Sequence, residues 1–180
     1  DGARLVIKTI NADRRVLDHE RVLLAAQGRD DIDVRDGYLD TGHLGALLAG
    51  CDCYVSLHRA EGLGLTIAEA MTLGKPVIAT AYSGNTDFMT PETSHMIGHR
   101  LVPVGQSNDP YPPDALWADP DLDQAAAAMR RVFDDPEAAK AMGERARLDL
   151  ATRFSPAVCG RRMAERFERI RSNRGRRWWN

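Results

Sequence analysis

Glu61-Gly62-Leu63-Gly64-Leu65-Thr66-Ile67-Ala68-Glu69-Ala70-Met71-Thr72-Leu73-Gly74-Lys75-Pro76-Val77-Ile78-Ala79 constrains the architecture more tightly than any other segment. The run before it, Cys53-Tyr54-Val55-Ser56-Leu57, reads as a buried strand. Two glycines then let the main chain approach a ligand closely. A helix over roughly 66–73 follows and stops at Gly74, and Pro76–Ala79 is the next strand. The free N–H groups and positive dipole end of such a helix face the glycine loop. That makes the loop an anion site suited to a phosphate or diphosphate. In open α/β sheets ligands sit outside the carboxyl ends of the strands, where this loop falls.

Two carboxylates bracket the loop. Glu61 precedes the helix and Glu69 lies near its start, seven residues intervening. Carboxylates accept hydrogen bonds from vicinal hydroxyls, so beside an anion site they suit a ligand carrying both phosphates and sugar rings. Each acid also has a plainer reading. Thr66 and Glu69 match a capping box, in which Glu69 merely closes the helix. Glu61 can be a solvated loop charge. The dinucleotide fingerprint G-x-G-x-x-G fails, because Ile67 stands at its third glycine.

Outward from this unit the same alternation continues. Arg4–Ile10 is a β-branched strand. Asp13 is placed to cap a helix with Val16, Leu17, Leu23 and Leu24, which Gly28 ends. Ile32–Arg35 is a strand, and Asp40 or Thr41 caps a helix carrying Leu44, Leu47 and Leu48. The prediction is an α/β fold: a Rossmann-like parallel sheet with helices on both faces. Beyond residue 84, His95–Ile97 and Leu101–Val104 are short strand candidates. Residues 105–120, with four prolines, read as an ordered loop. Three helices follow, with faces at Leu122, Ala126, Met129 and Phe133; at Ala138, Ala141, Met142 and Leu148; and at Cys159, Met163, Phe167 and Ile170.

Composition excludes several classes. With 180 residues, 43% hydrophobic and 28% charged, the chain is neither disordered nor a disulfide scaffold. No apolar run approaches the ~20 residues that span a bilayer. Cys51, Cys53 and Cys159 cannot all pair, and Cys51 and Cys53, at the entry to an apolar run, read as reduced packing residues of a cytoplasmic protein. Metal-ligand spacing is missing, so no metal is expected. Asp-x-Asp occurs at Asp31/Asp33, Asp119/Asp121 and Asp121/Asp123, three copies that an acidic chain produces by chance. The net charge of −2 conceals an asymmetry. Residues 161–177 hold eight Arg and two Glu, +6, against −8 elsewhere.

The E-x7-E spacing followed by E-A-M-x-x-G-x-P-V-I-A resembles the donor-binding signature of retaining GT-B glycosyltransferases of the family 4 type. Weaker likeness extends from the strand at Leu5 to the Phe133-Asp-Asp-Pro-Glu junction and the terminal helices. The resemblance implies the C-terminal half of a GT-B fold holding a nucleoside-diphosphate-sugar donor. Its sugar would pass to an acceptor hydroxyl with retention of configuration, without a further cofactor. By position, Glu61 would contact the transferred sugar. The backbone of Gly62, Leu63, Gly64 and Leu65 would meet sugar and diphosphate, and Glu69 the ribose. Gly37 and Tyr38 fall where the family meets the base. Two departures stand out. The family's preceding strand and helix with an Arg/Lys pair, and its N-terminal acceptor domain, do not precede Leu5 here. The resemblance therefore implies a single, N-terminally incomplete nucleotide-sugar-binding domain over 1–180, weak in nucleotide binding and inactive alone. It would end in a crossover helix over 155–172 and a basic, aromatic tail over 173–180.

Further candidates each carry two readings. Lys8 can reach phosphates or serve its strand. His58 can face the sugar or have no role. Asn85, in Ser83-Gly84-Asn85, can touch the donor, or that turn can cap a short helix over Thr86–Met89. Arg174, Arg176, Arg177, Trp178 and Trp179 suit an anionic membrane surface, with a frayed solvated tail as the alternative. No supporting residues point to nucleic acid. Two rival functions share the motif: a sugar-nucleotide epimerase of the same fold, and a noncatalytic sugar-nucleotide-binding module.

Overall fold

The computed structural model describes residues 2–106, 108 and 110–176. They divide into two compact units, 1–47 and 48–180. In the first, the β-branched run forms β1 (Leu5–Lys8), and β2 (Ile32–Arg35) pairs with it in parallel, Leu5 opposite Ile32 and Lys8 opposite Arg35. Between them runs α1 (Val16–Ala26). Asp13 does not cap it. That residue lies in a 3-10 turn over Ala12–Arg14, entered through Asn11 in the left-handed region, and α1 starts without a side-chain cap. Asp40 does cap α2 (Thr41–Gly50), accepting the His43 N–H at 2.8 Å.

In the second unit β4 (Val77–Thr80) lies between β3 (Tyr54–Ser56) and β5 (His95–Ile97), all parallel. Every residue of β4 is buried, as expected of a central parallel strand covered on both faces. Ile78 and Ile97 pack against Ala125 and Ala128 of α4 (Leu122–Asp134), with Val55 and Val132 beside them. On the other face α3 (Leu65–Thr72) buries Ile67, Ala70 and Met71 and is backed by α5 (Pro136–Phe154). Gly143 of α5 lies so near the Gly74–Lys75 backbone that a Cβ there would stand 2.7 Å from the Gly74 carbonyl carbon.

The helical faces differ from expectation. Leu122, Met129 and Phe133 are exposed, and the small residues Ala125 and Ala128 face the sheet. Likewise α5 buries Ala139, Gly143, Ala146 and Leu150, not the expected Ala138 set. Small side chains let helices approach closely, so they hold the contact surface. The region read as a loop also holds a strand: β7 (Leu116–Pro120) pairs antiparallel with β6 (His99–Pro103). Asp121 caps α4 through the Gln124 N–H, and Asp135 caps α5 through that of Ala138. The last helix, α6 (Pro156–Arg176), runs past the expected 172 and takes in the first residues assigned to the tail. Residues 177–180 of that tail lie outside the described residues.

Candidate functional site

The bend at Glu61–Gly64 leaves the carboxyl end of β3 and enters α3 directly. Gly64 is the N-cap, at φ 87°, a left-handed conformation that suits glycine. No side chain caps the helix in the capping-box manner. Thr66 lies inside the helix and shares a hydrogen bond with the Tyr54 hydroxyl (2.9 Å), so Thr66 and Glu69 do not form the box at its start. Glu61 meets two amides at the entry to the helix. Its Oε1 accepts from the Gly64 N–H at 3.0 Å and the Leu63 N–H at 3.4 Å. A carboxylate thus already sits on the amides at the positive end of α3. The solvated-charge reading of Glu61 gives way to a bound one.

Glu69 is exposed, on the same helix face as Leu65 one turn earlier. Tyr54 registers both acids. Burial pushes its phenol upward, and the charges of Glu61 and Glu69 add to that, against the Thr66 hydrogen bond. Tyr54 and Thr66 thus form a hydrogen-bonded hydroxyl pair between β3 and α3. Sequence reasoning singles out neither as a site residue, although Tyr54 stands in the strand that delivers the bend.

His58 is engaged: its Nε2–H donates to the Tyr82 carbonyl (2.9 Å), and Nδ1 lies 3.1 Å from the Ser56 hydroxyl. It ties the end of β3 to the segment leaving β4. Asn85 is fully buried, with Nδ2 donating to the Thr80 carbonyl at 2.9 Å and lying 3.2 Å from Met89 Sδ. The hydroxyl of Ser83 does not cap the 3-10 turn over Gly84–Asp87; it donates to the Glu61 carbonyl. Arg153 of α5 anchors the far side of this turn on the Phe88 carbonyl (2.7 Å).

In the first unit, Gly37 and Tyr38 follow the carboxyl end of β2. The Lys8 ammonium donates to the carbonyls of Thr9 and Gly37. Tyr38 is 76% exposed, its hydroxyl donating to Asn11 Oδ1 at 3.0 Å. Each strand pair thus carries its own expected residues at its carboxyl ends.

The Asp-x-Asp carboxylates have other partners. Asp31 pairs with Arg29, and Asp33 with Arg35 and Arg4. Asp119 bridges Arg59 (2.7 Å) and Arg100 (2.8 Å), and the Arg100 hydrogen bond holds its carboxyl below the ordinary value. Among the described residues no three His, Cys, Asp or Glu side chains converge as a metal site. None of the three cysteines is in a disulfide.

A family model described as "Family 4 Glycosyltransferase in conflict systems" matches residues 1–163. The chain belongs to this glycosyltransferase family. No curated protein matches it in sequence. Among solved structures, sucrose-phosphate synthase from Thermosynechococcus elongatus superposes with a TM-score of 0.66 at 23% identity over 90% of this chain. HepE of Anabaena, solved in complex with UDP, gives 0.66 at 16% identity over 92%. WaaG, a glycosyltransferase involved in lipopolysaccharide biosynthesis, gives 0.56 at 15% over 87%. The matches cover 35%, 41% and 44% of those proteins' own chains, so this family 4 chain spans less than half of each. At such identities the likeness shows the fold: a GT-B-type, Rossmann-like α/β domain.

Proposed function

We propose that this chain is the donor-binding half of a retaining glycosyltransferase. A nucleoside-diphosphate sugar would bind with its diphosphate against the amides of the bend that follows β3. The observation that carries the reading is the Glu61 carboxylate on the Gly64 and Leu63 N–H groups, which marks them as anion-seeking donors at a helix N-terminus. That Anabaena HepE was solved with UDP-glucose supports a nucleotide-sugar ligand for the fold's donor half. Gly62, Leu63, Gly64 and Leu65 would supply backbone contacts. Glu61 would steady the transferred sugar and Glu69 bind the ribose, with Gly37 and Tyr38 near the base. Lys8, His58 and Asn85 would serve the framework, a reading that their hydrogen bonds to backbone carbonyls support.

In the reaction, the anomeric carbon–phosphate oxygen bond breaks and a bond to the acceptor oxygen forms on the same face. The acceptor proton passes to the departing phosphate oxygen. The α3 N-terminus stabilises charge developing on that diphosphate, a preorganised effect. No metal or other cofactor takes part. The acceptor would be held mainly by a domain other than this donor-binding one. The protein works in the cytoplasm, binds no nucleic acid, and reaches the inner membrane surface through its basic, aromatic tail. Among the described residues no helix is long and apolar enough to cross a membrane.

Calorimetric titration of the full-length protein with UDP and GDP, repeated on Glu69→Ala, tests the reading. Loss of two hydroxyl contacts to a charged group predicts about tenfold or more weaker binding of the preferred nucleotide. Unchanged affinity removes Glu69 from the site.

A further inference from the structure

Ser83 holds a conformation that ordinarily belongs to glycine, φ 77° and ψ −152°. A side chain persists there only where its surroundings over-determine it, and such residues gather at functional sites. Its hydroxyl has one partner, the main-chain carbonyl of Glu61. The Gly84 N–H points to the same carbonyl, 3.4 Å away. Gly84 itself presses on the bend. A Cβ there would stand 2.8 Å from both the Gly62 carbonyl carbon and the Leu63 Cα, and closer still to the Gly62 oxygen. Asn85 completes the series, its Cβ 3.2 Å from where a Cβ on Gly64 would be. Three successive residues thus meet three points of the bend: Ser83 at Glu61, Gly84 at Gly62 and Asn85 at Gly64. Asn85 is in turn fixed to β4 through the Thr80 carbonyl.

We infer that Ser83 is a positioning residue, whose left-handed backbone aims its hydroxyl at the Glu61 carbonyl and so holds the Glu61–Gly64 bend in the geometry that presents its amides and the Glu61 side chain to the donor. This deepens the proposed function and rests on it for the identity of the ligand. The sequence choice is itself informative. Glycine at 83 would adopt this conformation freely but could not make the bond. Serine accepts an unfavourable backbone in order to make it.

Ser83→Gly separates the two effects, since it relaxes the backbone while removing the hydroxyl. The full-length protein carrying it is expected to melt at or above the wild-type temperature. Hydrogen exchange at the Leu63 and Gly64 amides should nevertheless be about fivefold faster. The affinity for whichever of UDP and GDP the wild type prefers should fall about fivefold, the equivalent of one net hydrogen bond. Ser83→Ala keeps the strain and loses the bond, so it should show the same local exchange with a lower melting temperature. Unchanged exchange at Leu63 and Gly64, or faster exchange spread evenly over residues 48–176, overturns the inference. So does faster local exchange with unaltered nucleotide affinity. If the wild type binds neither nucleotide, the proposed function fails separately, and the exchange result alone decides the role of Ser83.

Discussion

β1 and β4 look alike as sequence. Leu5-Val6-Ile7-Lys8 and Val77-Ile78-Ala79-Thr80 are four-residue, β-branched, parallel strands. Their surroundings differ. All of β4 is buried, between β3 and β5 and under α3 and α4. None of β1 is, and no described residue of the first unit is buried. Apolar, β-branched residues make both segments strands; burial comes from neighbours on two edges and two faces. Much of the stability of residues 48–180 should therefore reside around β4, and little in the apolar side chains of residues 1–47.

The largest expected contrast is chemical. Cys53, packed against the β4 cluster, has its thiol pushed up to about 12 by burial. At pH 8.5 it should react with iodoacetamide about a thousandfold more slowly in the native protein than in urea. Equal rates, read by mass spectrometry, would show the β4 region open. Next is Ile78→Ala, which removes a fully buried side chain and should cost about 3–4 kcal/mol in chemical denaturation. Gly143→Ala, forcing a methyl against the Gly74–Lys75 backbone, should cost about 2 kcal/mol. The smallest effect belongs to Leu17→Ala in α1. With Leu17 71% exposed, the change should stay within about 0.5 kcal/mol. A loss as large as that of Ile78→Ala would mean that the α1 face is covered in the working protein.

The same contrast explains what could be read from sequence. Periodicity predicts all three C-terminal helices, because it depends on local repeats. It misassigns the faces of α4 and α5, because it weights Leu122 and Phe133 above Ala125 and Ala128, whereas close packing on the sheet favours small residues. Prolines hide β7, although Pro103 and Pro120 stand only at the ends of β6 and β7. The bend and α3 are legible because glycines, helix start and acids are contiguous. The Tyr54–Thr66 bond, the Ser83 clamp and the His58 tie are not, since each joins residues 12 to 24 positions apart. Thr66 and Glu69 spell a capping box, but the helix starts earlier, with Gly64 as its N-cap, so both residues lie inside it.

In the proposed function the amides of the Glu61–Gly64 bend, at the head of α3, receive the donor diphosphate. Amide-resolved NMR of the full-length protein, titrated with UDP and separately with GDP, reads this directly. The largest chemical-shift changes should fall at Leu63, Gly64 and Leu65 as the Glu61 carboxylate yields its place. Saturable binding that leaves those three amides unmoved would contradict it.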